Sequence, residues 1–144
     1  RYSKEVDGLN LLCIGPLTNL ALACRLDPEL PKRIASLTVM GGTYAGIGNI
    51  TPNTEFNFCQ DPEAASIIMK SGFKNFKLVP WDCCIKASPS TPEQIARMYD
   101  TSTPLGEFHK LTTDFMYNFE GKHMLVDTSA AVITIDESVI EKSF

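Results

Sequence analysis

The sequence predicts an α/β fold: a doubly wound, mostly parallel sheet with helices on both faces. Three observations carry this. Apolar runs of strand length recur at residues 9–14, 34–40 and 75–80, each ends in a turn signal, and the segments between them show helical spacing. Strands separated in this way pair in parallel through right-handed crossovers.

The first run, "LNLLCI", stops at Gly15-Pro16, where a helix cannot continue. After the turn, Leu17, Leu20, Ala21 and Cys24 recur at helical spacing, with Thr18 or Asn19 available as a cap. The second run, "IASLTVM", leads into Gly41-Gly42 and a long polar loop. Asp61-Pro62-Glu63 then opens a helix: an N-cap acid, proline at the first helical position and a second acid near the positive helix end. That helix carries "AASIIMK" and stops at Gly72, before the third run, "NFKLVP". Strand-helix units extend to about residue 86, and a helical region follows from about residue 87. Within it, Thr91-Pro92-Glu93-Gln94 forms a capping box. Phe108, Leu111, Phe115 and Phe119 share one helical face, which is expected to join the core.

Composition narrows the function. The 144 residues are 44% hydrophobic and 21% charged with a net charge of -4, as in ordinary globular proteins. The 13 Lys and Arg are scattered and outnumbered by 17 acidic residues, so nucleic acid is not an expected partner. No apolar run has the length of a membrane span, so none is expected either. Cys13, Cys24, Cys59, Cys83 and Cys84 lack disulfide or zinc spacing and read as buried, reduced thiols, which favours a reducing, cytoplasmic setting. The start, "RYSKEVDG", has neither a signal-peptide layout nor an initiator Met, and the chain is expected to begin inside a longer protein.

In an open parallel sheet, ligands bind beyond the carboxyl ends of the strands. Residues 14–19, 40–57, 81–88 and 126–129 lie there. In "NTEFNFCQDPEAA", Glu55 and Asn57 alternate with Phe56 and Phe58. A carboxylate beside a carboxamide suits a ligand with neighbouring hydroxyls, such as a sugar, and a carboxylate stabilises the positive charge of a breaking glycosidic bond. The two side chains equally suit a loop whose backbone groups they satisfy; if they face a sugar, Phe56 and Phe58 anchor the loop from the other side. Asp61 is a helix cap and not part of the site. Gly41, Gly42, Gly46 and Gly48 allow the loop to wrap closely, but no Lys-Ser/Thr pair or G-x-G-x-x-G accompanies them, so a phosphate cradle is not supported.

The stretches "LLCIGPLTNLALA", "LTVMGGTYAGIGN" and "NTEFNFCQDPEAA" resemble, in order and spacing, nucleoside hydrolases of the inosine-uridine-preferring type, over residues 8–136. The resemblance implies a partial nucleoside hydrolase-like domain over 1–144 and, in the complete protein, calcium-assisted hydrolysis of ribonucleosides to ribose and free base. It assigns Asn49, Glu55 and Asn57 to the ribose hydroxyls and Met40 to the ribose pocket. It assigns Asp127, in "VDTSAA", and the Ile14 backbone carbonyl to calcium; the residues themselves also allow Asp127 to be a helix N-cap. A glycan at Asn49-Ile50-Thr51 would fill that ribose pocket, so the sequon reads as coincidental.

Departures matter as well. The D-x-D-x-x-x-D-D segment of the family, which supplies most calcium carboxylates and the water-activating acid, is not in this chain, so the chain alone is expected to be inactive. Val126 stands where many members carry a proton-donating His, and His123 lies three residues earlier. Cys84 and Ile85, in "WDCCIKA", stand where the family frequently carries Thr and His after the third strand. The base-protonating group, the base preference and the oligomeric state stay open, and a homo-oligomer is compatible with the sequence. The alternative is a nucleoside- or ribose-binding protein without catalysis.

Overall fold

The computed structural model describes residues 1–87, 91–120, 124–141 and 143, and only the backbone at 87 and 116–120. In chain order the elements are α1 (Tyr2–Glu5), β1 (Leu9–Cys13), α2 (Thr18–Leu26), α3 (Leu30–Arg33), β2 (Ile34–Met40), α4 (Phe56–Gln60), α5 (Pro62–Met69), β3 (Phe76–Val79), α6 (Trp81–Ala87), α7 (Pro92–Met98), α8 (Pro104–Glu120), α9 (Val126–Ile135) and a 3-10 turn at Glu137–Val139.

The strands form a parallel sheet in the order β1-β2-β3. Cys13 pairs with Val39, and Met40 with Val79, so all three strands end at the same edge. Because side chains alternate along a strand, β2 serves two layers. Leu37 and Val39 pack with Leu17, Ala21 and Cys24 from the α2 side and Ala64, Ala65 and Ile68 from α5. Met40 packs with Val79, Cys84 and Ala130, bordered by Trp81, Val126 and Ile133. Leu37 and Val39 are fully buried, each worth about 1.5–3 kcal/mol of transfer free energy. The α/β expectation therefore holds, with α2 and α5 on one face and α9 on the other.

Several expectations need correction. Leu17, not Thr18 or Asn19, is the N-cap of α2, and it makes no side-chain cap bond. The Thr18 hydroxyl instead donates to Asp61, which also accepts from the Ala64 amide at 2.9 Å as the N-cap of α5. One carboxylate thus caps one helix and ties it to another. Phe108, Leu111 and Phe115 are 64%, 76% and 74% exposed, so the aromatic face of α8 does not join the core. Helical spacing put these residues on one face without specifying a neighbour to cover it; the Phe119 side chain lies outside the described residues. All five cysteines are free thiols, but only Cys24 and Cys84 are buried, while Cys59 and Cys83 are exposed. Among the described residues no helix is long and apolar enough to cross a membrane.

Hydrogen bonds from Thr18 and Ala64 hold Asp61 below the usual carboxylate range. A depressed folded pKa contributes stability that is present above the unfolded value and is lost as pH falls through the folded one. Asp61→Ala is therefore expected to lower the melting temperature at neutral pH, with the gap to wild type narrowing in thermal melts as pH falls below the carboxylate range. A gap independent of pH would refute this role.

Candidate functional site

The site grows from the end of β2. Met40 is followed by Gly41, whose amide donates to the Val79 carbonyl at 3.2 Å, and by Gly42, which turns the chain with φ of 70°. The Phe58 ring lies flat against this turn: a Cβ on Gly41 would stand 2.7 Å from its ring carbons. Glycine is therefore required both for the backbone angle and for ring contact. Further along, a Cβ on Gly48 would fall 2.1 Å from the Thr51 carbonyl oxygen, where Asn49 N donates to Thr54 O at 3.0 Å and the chain doubles back.

The returning chain reaches Glu55, the N-cap of α4, which is 2% exposed. Its carboxylate accepts from Asn57 N and Gly42 N, both at 2.8 Å, and from Phe58 N at 3.1 Å. A buried charge is tolerated here because three backbone N–H groups solvate it. Asn57, 8% exposed, donates from Nδ2 to the Met40 carbonyl at 3.1 Å and lies 3.3 Å from Met40 Sδ. Among the described residues no hydrogen bond uses Asn57 Oδ1. Asn49 Oδ1 accepts from Phe56 N at 2.8 Å, linking the exposed loop to the first turn of α4.

Asp127 approaches from α9. Burial of its carboxyl end and the negative charge of Glu55 push its pKa above the ordinary value, although the residue as a whole is exposed. Its ionised form is disfavoured by the fold, a penalty absent below the ordinary carboxylate pKa; perturbed groups of this kind cluster at functional sites. Cys84 sits in the same neighbourhood. Burial, with the nearby charges of Cys83, Asp127 and Glu55, pushes its thiol up to about 11, and its Sγ lies 3.8 Å from the Val126 carbonyl, its acceptor. It is therefore a protonated packing group and not a thiolate. Ile14 follows the Cys13–Val39 pair at the same sheet edge and is 47% exposed.

A model of the family described as inosine-uridine preferring nucleoside hydrolase matches residues 2–144. The chain belongs to this nucleoside hydrolase family. It is 39% identical over 99 residues to the putative pyrimidine-specific ribonucleoside hydrolase RihB of Shigella boydii, covering 69% of this chain and 40% of the relative. Among solved structures it matches an inosine-guanosine nucleoside hydrolase with a TM-score of 0.89 and 26% identity, over 99% of this chain and 47% of the other. The purine-preferring ribonucleoside hydrolase from Gardnerella vaginalis matches with a TM-score of 0.84 and 29% identity, over 96% and 46%. The chain thus spans less than half the length of these relatives.

Of the residues singled out from the sequence, Met40, Glu55 and Asn57 form one hydrogen-bonded unit, Asn49 joins it through Phe56 N, and Asp127 is coupled to Glu55 by charge. Three details differ from the sequence reading. Leu125, not Asp127, is the N-cap of α9, which leaves the Asp127 carboxylate without a cap bond. Phe56 is 45% exposed, so Phe58 alone anchors the loop. The helix α4 was not foreseen, because its cap, Glu55, sits inside what reads as loop. Val126 borders the Met40 cluster, Cys84 is fully buried, and His123 lies outside the described residues.

Calcium takes about six to eight oxygen ligands. Among the described residues no three His, Cys, Asp or Glu side chains converge on a metal position. Asp127 and the Ile14 carbonyl are too few, and the Glu55 oxygens are engaged by backbone amides. On these donors alone the chain does not fit a calcium ion.

Removing the Glu55 charge should expose its structural share. Glu55→Gln turns one acceptor oxygen into a donor facing backbone N–H groups, and is expected to cost about 1–3 kcal/mol in urea denaturation. Glu55→Ala strands all three amides and should cost more. Wild-type stability in both variants would contradict the arrangement.

Proposed function

We propose that the full-length gene product hydrolyses the N-glycosidic bond of ribonucleosides, releasing ribose and free base, and that this chain supplies the ribose-binding part of its site. The observation that carries the reading is the Met40–Glu55–Asn57 unit at the carboxyl end of β2, with the Asp127 carboxylate beside it. Family membership and the names of the relatives support the same reaction class.

Each residue has a physical task. Asn57 is fixed through its Nδ2 on Met40, which leaves Oδ1 to accept from a ribose hydroxyl. Glu55 is held rigidly by backbone amides, and its negative charge lies where cleavage develops positive charge on the sugar. Because the charge is already oriented and desolvated, it stabilises the transition state without reorganisation. Asn49 positions the outer wall of the ribose pocket and Met40 its apolar floor. Asp127 brings a second carboxylate to the same place. The groups that activate water and protonate the base are not assigned to residues of this chain.

The relatives are named for pyrimidine, inosine-guanosine and purine substrates, so the proposal extends to ribonucleosides as a class and to no particular base. Calcium is proposed for the full-length gene product only, with Asp127 and the Ile14 carbonyl as this chain's donors and the remaining oxygens from elsewhere; when bound, the ion supplies Lewis-acid activation of hydroxyls and water.

Ribose release from a panel of ribonucleosides, followed by a reducing-sugar assay, tests the reading. Asn57→Ala and Asp127→Ala are each expected to reduce turnover by more than about a hundredfold. Chelator should abolish release and calcium restore it. No ribose from any nucleoside would overturn the activity; wild-type rates in both variants would overturn the site.

A further inference from the structure

Residues 43–45, between the end of β2 and Asn49, are held from outside by the Asp82 side chain. Asp82, in the first turn of α6, is 5% exposed and accepts from Thr43 Oγ1 at 2.8 Å, Tyr44 N at 2.5 Å and Ala45 N at 3.1 Å. The neighbouring Trp81 amide donates to the Gly42 carbonyl at 2.9 Å, so the start of α6 grips the residue just before this segment as well. Thr43 passes the constraint on: its hydroxyl oxygen also accepts from Ile47 N at 3.0 Å. Beyond it, Gly48 N donates to Pro52 O at 2.8 Å, and Asn49 is fixed by Thr54 O and Phe56 N. Gly42 joins this chain of bonds to the ribose unit, because Glu55 takes its N–H while Trp81 takes its C=O.

A buried carboxylate is seldom devoted to an exposed loop. Tyr44 is 80% exposed and Ile47 46%, so burial of these side chains does not hold residues 43–47 in shape. Three hydrogen bonds to Asp82 do so instead.

We propose that Asp82 is a positioning residue for substrate binding: by clamping Thr43, Tyr44 and Ala45 it fixes the loop that delivers Asn49 to the ribose pocket. The inference rests on the ribonucleoside reading of the site. Asp82 touches neither sugar nor base; it acts through the loop, so its loss weakens binding more than it slows the chemical step. Burial opposes ionisation of Asp82, but the bonds from Tyr44, Thr43 and Ala45 outweigh it and hold its pKa below the usual range, so the clamp is intact at neutral pH.

The test compares Asp82→Asn, Thr43→Val and Thr43→Ser in the full-length gene product. Asparagine keeps one acceptor but turns an amide toward the loop N–H groups, and is expected to raise KM by about tenfold or more with a smaller change in kcat. Thr43→Val should shift KM in the same direction by less, and Thr43→Ser, which keeps the hydroxyl, should resemble wild type. Amide hydrogen exchange gives a readout independent of activity: Tyr44 and Ala45 should be protected in wild type and exchange rapidly in Asp82→Asn. Unchanged exchange in Asp82→Asn overturns the clamp whether or not the protein hydrolyses nucleosides. Rapid exchange with an unchanged KM, or activity losses that follow melting temperature alone, overturns the positioning role. An inactive wild type refutes the activity reading, and with it the substrate-positioning role, while the exchange result still decides the clamp.

Discussion

The Glu55 carboxylate, almost fully buried and solvated, among the described residues, by backbone amides, is the interaction on which the rest of the site depends. A carboxylate in a low-dielectric interior is costly unless donors surround it. Gly42, Asn57 and Phe58 provide them, and each is positioned by something else: Gly42 by the end of β2, Asn57 and Phe58 by the first turn of α4. The charge and the local fold therefore specify each other. If the strand end or the helix start shifts, the charge loses its solvation; if the charge is removed, the strand end and the helix start lose their link.

From that centre the constraints spread outward through Gly42. Its backbone faces Glu55 on one side and the start of α6 on the other, and the Phe58 ring fits against it because no side chain intervenes. Asn57 bridges the helix start to Met40, which in turn sits in the smaller core cluster with Cys84 and Ala130. That cluster brings α9, and with it Asp127, toward Glu55. The Glu55 charge raises the cost of ionising Asp127, so placing these two carboxylates near each other is an inefficient way to stabilise a fold. Their proximity is understandable where a positive charge must be met during reaction.

Much of this was legible in the sequence where the cause is local. The run Ile34–Met40 reads as a strand because it is apolar, bounded and of strand length, and it forms with those bounds. Asp61-Pro62-Glu63 reads as a helix start because cap, proline and acid act within one turn, and the Thr91–Gln94 capping box forms for the same reason. What escaped the sequence depends on partners far along the chain. Glu55 as a cap requires Gly42, and Asp82 as a clamp requires Thr43, 39 residues earlier. The sequence signals for Asp82 are an acid shortly after the third strand and its match, in "WDCCIKA", to the Asp of the family segment whose Thr and His are replaced here. The exposure of Phe108, Leu111 and Phe115 could not be read either, since spacing defines a face but not its neighbour.

The family resemblance assigns Asn49, Glu55 and Asn57 to the ribose hydroxyls, and the hydrogen bonds show how those side chains are held. The alternation of Glu55 and Asn57 with Phe56 and Phe58 is half explained by a wrapped loop: Phe58 braces the glycines, Phe56 does not. The most direct test is a crystal structure of the full-length gene product with ribose bound. Ribose hydroxyl oxygens within about 3.2 Å of Asn57 Oδ1, with Glu55 still accepting from Gly42 N, are the expected result. A sugar bound away from the end of β2, or an Asn57 carboxamide shielded from it by other side chains, would contradict the placement of the site.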